Sequence, residues 1–376
     1  MFGSHISHGD ETLLEKLKHL AWGQVFLICL FAGIGFTALY SAAGGHFDPW
    51  ASAQMTRFLG ALIMLVVLAL IDLKWVFRSV WILYGMSLVL LLLVDIFGHV
   101  GMGAQRWLDL GIIKIQPSEL AKITTLMALA RYFHAKDIIE IRKIKNLIFP
   151  SLIIGLPVYL VVKQPDLGTG ISIMLAGLSV LLAAGLPMWI FIAGVVLAVI
   201  SIPVIWPFLH DYQKDRVTVF FNPESEPLGA GFHIIQSKIA LGSGGVSGKG
   251  FLQGTQSHLN FLPEKHTDFI FTLWGEEWGF LGGVVLLGLA SLIILYGYWM
   301  SFQCKHHFGR ILTFGLTMNF SIYIMVNIGM VMGLLPVVGI PLALMSYGGT
   351  AMLMVMAAFG LMQCCLVHRD ARLPRS

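Results

Sequence analysis

Charge is scarce in this chain: Asp, Glu, Lys and Arg together make up only 12% of its 376 residues. Soluble domains carry about twice that share, so a water-exposed globular surface is excluded. The cations are spread along the sequence and the formal net charge is only +4, which leaves no dense basic patch for nucleic acid. Cysteine is sparse too. Cys29, Cys304, Cys364 and Cys365 lie within or at the ends of apolar runs, and no pair has metal-ligand or redox spacing. Acylation of the adjacent Cys364 and Cys365 near a membrane boundary is one reading, and buried inert thiols are the better one. Also missing is the compact charged, apolar and small-residue pattern that ends in a cleavage site, so the first apolar span is expected to be retained.

What fills the sequence instead is apolar: 57% hydrophobic residues and a mean hydropathy of +0.81. The implied class is an all-α polytopic membrane protein with about ten transmembrane helices. Apolar runs fall near 21–42, 58–76, 79–97, 119–134, 147–163, 167–184, 187–208, 267–299, 311–334 and 347–368. The run from Glu119 is short and polar enough to be tilted or partly surface-lying. Residues 1–20 form a polar N-terminal segment in which Thr12 and Glu15 have capping-box spacing, so a short surface helix is expected. The membrane domain is 21–368 and the tail 369–376.

Threading ten helices places the basic residues of the short connections, among them Lys74, Arg78, Arg131, Arg142, Lys305, Arg310 and Arg369, on one side, which should be cytoplasmic. Both termini are then inside. The longest connection, 209–266, is outside, between helices 7 and 8. It carries five Lys or Arg and five Asp or Glu, and its segment IIQSKIA has the spacing of a short amphipathic helix lying on the membrane. Its apolar content predicts a folded, partly helical loop.

The chemistry is concentrated at outer helix starts. Asp268, in HTDFIF, is an acid at the membrane edge, where a carboxylate must be solvated, paired or used. At helical spacing Thr272, Gly275, Gly279 and Gly283 fall within about 60° of its face and Glu276 about 80° round, a stripe that should look into the protein or a cavity. A plain helix cap is the alternative. QPSELAK places Glu119 and Lys122 three apart, able to pair on one face, behind Pro117 as a stop and Ser118 as a cap. GAQRWLDLG adds Arg106 and Asp109 in an interfacial segment, and KQPDLGTG adds Lys163 and Asp166, the latter also readable as a cap. With Arg57 and Arg216 on the same side, these cations suit a phosphate-bearing ligand in a shared polar cavity. In GLLPVVGIPLALMSYGGTA the prolines and glycines mark a broken or re-entrant segment, in which Ser346 and Gly348 would meet the ligand; a tight turn is the alternative.

Two further patterns fail. GSGGVSGKG resembles a phosphate loop but has Ser243 where the first glycine belongs and Gly250 where Ser or Thr belongs. His258, Glu264, His266 and Asp268 lack the helical histidine spacing of a metal site, so no metal ligand is assigned.

Taken together, GAQRWLDLG, QPSELAK, KQPDLGTG, YQKDRV, NPESEPLGAGFHIIQSKIALGSGG, FLPEKHTDFIF, GEEWGFLGG and GIPLALMSYGG resemble the RodA/FtsW family of SEDS proteins over nearly the whole membrane region. The outer-loop wording is more similar to the rod-elongation branch than to the division branch. The resemblance implies a ten-helix peptidoglycan glycosyltransferase of the bacterial inner membrane that polymerises lipid II in cell-wall elongation. It implies a class B penicillin-binding protein and other elongation-complex membrane proteins as partners. Asp268 maps onto the family's essential aspartate, and Arg106, Glu119, Lys122 and Asp166 onto other functional positions. The mechanism expected has Asp268 as base, with Arg106, Lys122 and Arg216 on the leaving pyrophosphate and inversion at the anomeric carbon. No cofactor is assigned, and the need for a divalent cation stays open. The alternatives are a lipid II flippase or transporter, against which the position of the acids at helix ends speaks, and a non-catalytic scaffold that activates its penicillin-binding partner.

Overall fold

The computed structural model describes residues 12–101, 104–109, 114–208, 211–223, 230–258 and 264–374. The first half is α1 (Leu13–Lys18), α2 (Trp22–Ala42), α3 (Ala51–Leu70), α4 (Leu73–Phe97), α5 (Pro117–His134), α6 (Ile138–Ile141), α7 (Ile148–Lys163) and α8 (Leu167–Ala183). The second is α9 (Met188–Ile205), α10 (Asp211–Phe221), α11 (Ala230–Gly244), α12 (Thr255–His258), α13 (Ile270–Gln303), α14 (His307–Val331) and α15 (Gly349–Val367). Among the described residues the departure from an all-helical chain lies between α4 and α5. There β1 (His99–Gly101), β2 (Ala104–Asp109) and β3 (Lys114–Ile115) pair antiparallel in the order β1-β2-β3, so the segment holding Arg106 is a strand.

Every predicted apolar run contains a helix, and among the described residues seven helices are long and apolar enough to cross a membrane. Helix α5 is not one of the seven, and it does not lie on the surface either. It is packed among α4, α7, α8 and α14 and is buried on almost every side, which is why it carries charge where lipid-facing helices carry leucine. Its start also differs from expectation: Gln116 is the cap residue, Pro117 opens the helix, and Ser118 lies inside it. Proline is favoured there because its missing N–H would have had no helical partner. Helices α3 and α4 begin seven and six residues before the apolar runs do, since charged side chains at helix ends need not interrupt the helix. The capping box of Thr12 and Glu15 is formed at α1.

Helix α13 is two helices joined at Gly279, whose φ of 62° and ψ of −160° suit glycine alone. The break frees backbone groups that must find partners. The GSGGVSGKG loop supplies them. Lys249 and Gly250 donate their N–H groups to the carbonyls of Glu276 and Glu277, both at 3.0 Å, while Phe280 and Leu281 donate to the carbonyls of Gly245 and Val246 at 2.9 and 3.1 Å. A Cβ on Gly248 would stand 2.0 Å from the Glu277 oxygen, so the loop's glycines serve close backbone contact within the protein.

Helix α11 of the long connection, which contains IIQSKIA, does not lie apart from the bundle. It docks against α13 and α14. Ser237 is fully buried, donates to the Val331 carbonyl at 2.7 Å and shares a 2.9 Å hydrogen bond with Thr272. A Cβ on Gly244 would meet the Gly275 oxygen at 2.2 Å. The stripe of small residues below Asp268 is therefore a groove that α11 fills, because only small residues let two backbones approach so closely.

Candidate active site

One end of the bundle collects the starts of α3, α5, α8, α13 and α15 and the finish of α14. Asp268 lies there, half-buried, just outside α13 and one residue before Phe269, which occupies the cap position. Its position is fixed through main chain. Asn327 Nδ2 donates to the Asp268 carbonyl at 2.8 Å and to the Ile340 carbonyl at 2.7 Å. The Thr267 carbonyl accepts from Ser346 Oγ at 2.6 Å, and Ser346 Oγ accepts from the Leu342 N–H at 2.8 Å. Tyr347 N–H reaches the His266 carbonyl at 2.8 Å. Gln54 of α3 closes the clamp, donating to the Ser346 carbonyl at 2.9 Å and accepting from Gly348 N–H at 3.4 Å. Three successive residues of HTDFIF are thus held to the irregular segment before α15. That segment is broken, as Pro336 and Pro341 predicted; its part from Leu342 to Ser346 is buried, and the Ile340 and Ser346 carbonyls and the Leu342 and Gly348 N–H groups are matched by side chains. The tight-turn alternative falls. Gly339, at φ 73°, lies beside Asp268: a Cβ there would touch Oδ2 at 3.5 Å, an ordinary contact.

His266 stacks on Trp50 at 4.4 Å. Burial pushes its imidazole below the usual range, against the opposing pull of Glu264 and with a small push from Lys265, so the ring is neutral beside the site at pH 7. Arg57 lies over the Tyr347 ring with Cζ 4.8 Å from its centroid and beside Gly349.

A second cluster is built from side chains. Lys122 Nζ donates to Glu119 Oε1 at 2.7 Å, the expected pair within α5. Tyr323 of α14 completes it: its hydroxyl bonds both the lysine and the other carboxylate oxygen, and the ammonium lies 4.1 Å from the ring centroid. All three are buried. Tyr323 and Asn327 were missed in the sequence, although a hydroxyl and an amide inside an apolar run each have to find a partner. Being four residues apart, they share one face of α14 and join the Glu119 cluster to the Asp268 clamp.

The third group centres on Asp166, which caps α8 by accepting from Thr169 N–H at 3.3 Å and also meets Arg106 Nε at 3.6 Å and Gln116 Nε2 at 3.4 Å. The cap reading of this acid holds, and the same carboxylate also pairs with a cation. Arg106 Nη2 also donates to the Pro165 carbonyl at 2.8 Å. A Cβ on Gly168 would stand 2.5 Å from the Val338 oxygen, so this group presses on the segment that holds Gly339.

Lys163 is not brought to the others. It pairs with Asp95 at 2.5 Å and its side chain is 55% exposed, because the last turn of α7 faces the end of α4. Arg216 lies in α10, and its side chain is outside the described residues, as are that of Asp109 and those of His258 to Pro263. Glu276 is fully buried and accepts from Lys249 Nζ at 2.7 Å and Gln256 N–H at 2.9 Å, which secures the loop at the helix break, and Glu277 accepts from Ser41, which ties the break to α2.

The fold defines a polytopic membrane protein, and these three clusters lie at one end of its helices. The chain belongs to the FtsW, RodA and SpoVE family of cell cycle proteins, whose family model matches residues 19–371. It is 46% identical over 364 residues to the peptidoglycan glycosyltransferase MrdB of Escherichia coli K12, covering 94% of this chain and 96% of that one. The probable peptidoglycan glycosyltransferase FtsW of Escherichia coli O6:H1 is 33% identical, over 97% of this chain and 89% of its own, in keeping with the elongation branch. Among solved structures, a chain from a peptidoglycan synthase complex that coordinates polymerization and crosslinking superposes with a TM-score of 0.79 at 34% identity, covering 93% of this chain and 98% of that one. The rod shape determining protein RodA of Thermus thermophilus gives a TM-score of 0.70 at 28% identity, over 93% and 97%.

Proposed function

We propose that this chain is a peptidoglycan glycosyltransferase of the elongation branch, and that Asp268 is its general base. The acceptor sugar's 4-hydroxyl gives its proton to Asp268 while its oxygen attacks the anomeric carbon of the lipid-linked donor. The bond from that carbon to the pyrophosphate oxygen breaks, inverting the centre and releasing polyprenyl pyrophosphate. The observation that carries this reading is the clamp on residues 266–268, which fixes the acid's backbone and leaves its carboxylate half-buried beside Gly339.

Arg106, one-fifth exposed, and Arg57 are the cations placed to meet the pyrophosphate. Lys122 is given a different role from the one its charge suggested. Its ammonium is enclosed by Glu119 and Tyr323, so it acts as a strut between α5 and α14. The site faces out of the cell in this proposal, both termini are cytoplasmic, and a class B penicillin-binding protein crosslinks the glycan. Supporting these is the positive-inside pattern and, for the partner, the complex to which this chain is similar.

The test is incubation of the purified chain, with and without the penicillin-binding partner, with lipid II, reading glycan length. Wild type should polymerise and Asp268→Asn should not. Normal polymerisation by the variant overturns the base assignment, and movement of lipid II across vesicles without polymerisation overturns the enzymatic reading. A chelator arm reads the divalent-cation requirement.

A further inference from the structure

At the opposite end of the bundle from Asp268, Lys74, Phe77 and Arg78 of α4 line a cavity of about 200 Å³ with Arg372 and Pro374 of the C-terminal tail. Three cations, two of them four residues apart on α4 and the third 294 residues beyond Arg78 in the tail, converge on one small space, and among the described residues no carboxylate lines it. The acids nearest in sequence are engaged elsewhere. Asp72 caps α4, accepting from Lys74 N–H at 2.9 Å, and Asp370 pairs with Lys305 at 2.5 Å and with Arg369 at 3.7 Å. A fourth cation lies behind the wall: Arg131 donates to the carbonyls of Phe77 and Arg78 at 2.5 and 3.0 Å, with Cζ 4.6 Å from the Phe77 ring centroid.

The tail is placed, not trailing. Lys305 N–H bonds the Arg369 carbonyl at 3.1 Å, Ala371 N–H the His368 carbonyl at 2.9 Å, and Ala371 and Leu373 pack on the core. Like charges that line one space repel, and an anion between them relieves that repulsion. The cavity is smaller than the ~300 Å³ of a pocket for a whole drug-sized molecule, so it suits a single phosphate group. Its level in the bilayer is fixed by its surroundings. Trp75, next to Lys74, is 67% exposed on the rim, as interfacial tryptophans are. From Lys74 to the Asp95–Lys163 pair at the other end, α4 rises roughly 30 Å, about one hydrocarbon thickness.

We propose that this cavity binds the phosphate of an anionic phospholipid headgroup from the leaflet opposite the active site. Lys74 and Arg78 hold it from the membrane helix and Arg372 closes over it from the tail.

Native mass spectrometry of the full chain in detergent, titrated with phosphatidylglycerol, phosphatidylcholine or inorganic phosphate, tests this. Wild type should retain one phosphatidylglycerol, with affinity falling about fivefold for each cation removed in K74Q, R78Q and R372Q. Phosphatidylcholine should be indifferent to all three, and K305Q, whose cation already pairs with Asp370, should bind as wild type. R372Q, on the exposed tail, keeps the test independent of folding. Equal retention of phosphatidylglycerol by the triple variant, or equal binding of phosphatidylcholine, overturns the site. Displacement of phosphatidylglycerol by millimolar inorganic phosphate overturns the lipid assignment.

Discussion

Asp268 and Glu119 are acids at the same end of the bundle, held in opposite ways. Glu119 is buried and its charge is answered by Lys122 and Tyr323, side chain to side chain. Asp268 is located through the backbone of its own turn by Ser346, Tyr347 and Asn327, and its side chain is only half-buried. Charges answered inside the protein orient helices, whereas a scaffold that grips the main chain orients an acid without enclosing its side chain. In the function proposed above, the first cluster is structural and the second chemical.

The largest expected effect falls on turnover. Asp268→Asn should lower polymerisation by roughly 10²–10⁴-fold and leave thermal unfolding unchanged; loss of folding instead would erase the distinction between the acids. Next is Lys122→Met, which strands a buried carboxylate and should destabilise by about 3–5 kcal/mol, with most of the loss recovered when Glu119 is also made Leu. A normally folded, inactive K122M would move Lys122 to the chemical side. Asn327→Ala removes the amide that ties the Asp268 and Ile340 carbonyls, at about 1–3 kcal/mol, and should lower turnover at unchanged lipid II affinity. Smallest is Lys163→Gln: the lysine of its pair with Asp95 is exposed and the pair adds little, so glycan yield and melting temperature should both stay at wild-type values.

Much of this was legible in the sequence because apolar runs and isolated charges are local signals. The ten helical stretches follow from hydropathy, and the pairs around Glu119 and Asp166 from spacing and capping chemistry. What was not legible depends on what packs outside a helix. The polarity of α5 suggested a surface helix and instead marks one enclosed by four others. IIQSKIA has an amphipathic pattern whether its apolar face meets lipid or, as here, α13. Lys163 has the same charge as Arg106, and only the direction of α7 sends it to Asp95. Tyr323 and Asn327 were passed over because a single polar residue in an apolar run has no periodicity to betray it.

The splice at Gly279 has a mechanical meaning. On both sides of it α13 is hydrogen-bonded to the glycine loop: Glu276 and Glu277 accept from Lys249 and Gly250, and Phe280 and Leu281 donate to Gly245 and Val246. The loop is a splint across the corner, tying the arm that bears Asp268 to the shaft beyond Gly279. A pull on that splint therefore bears on both pieces of the helix at once.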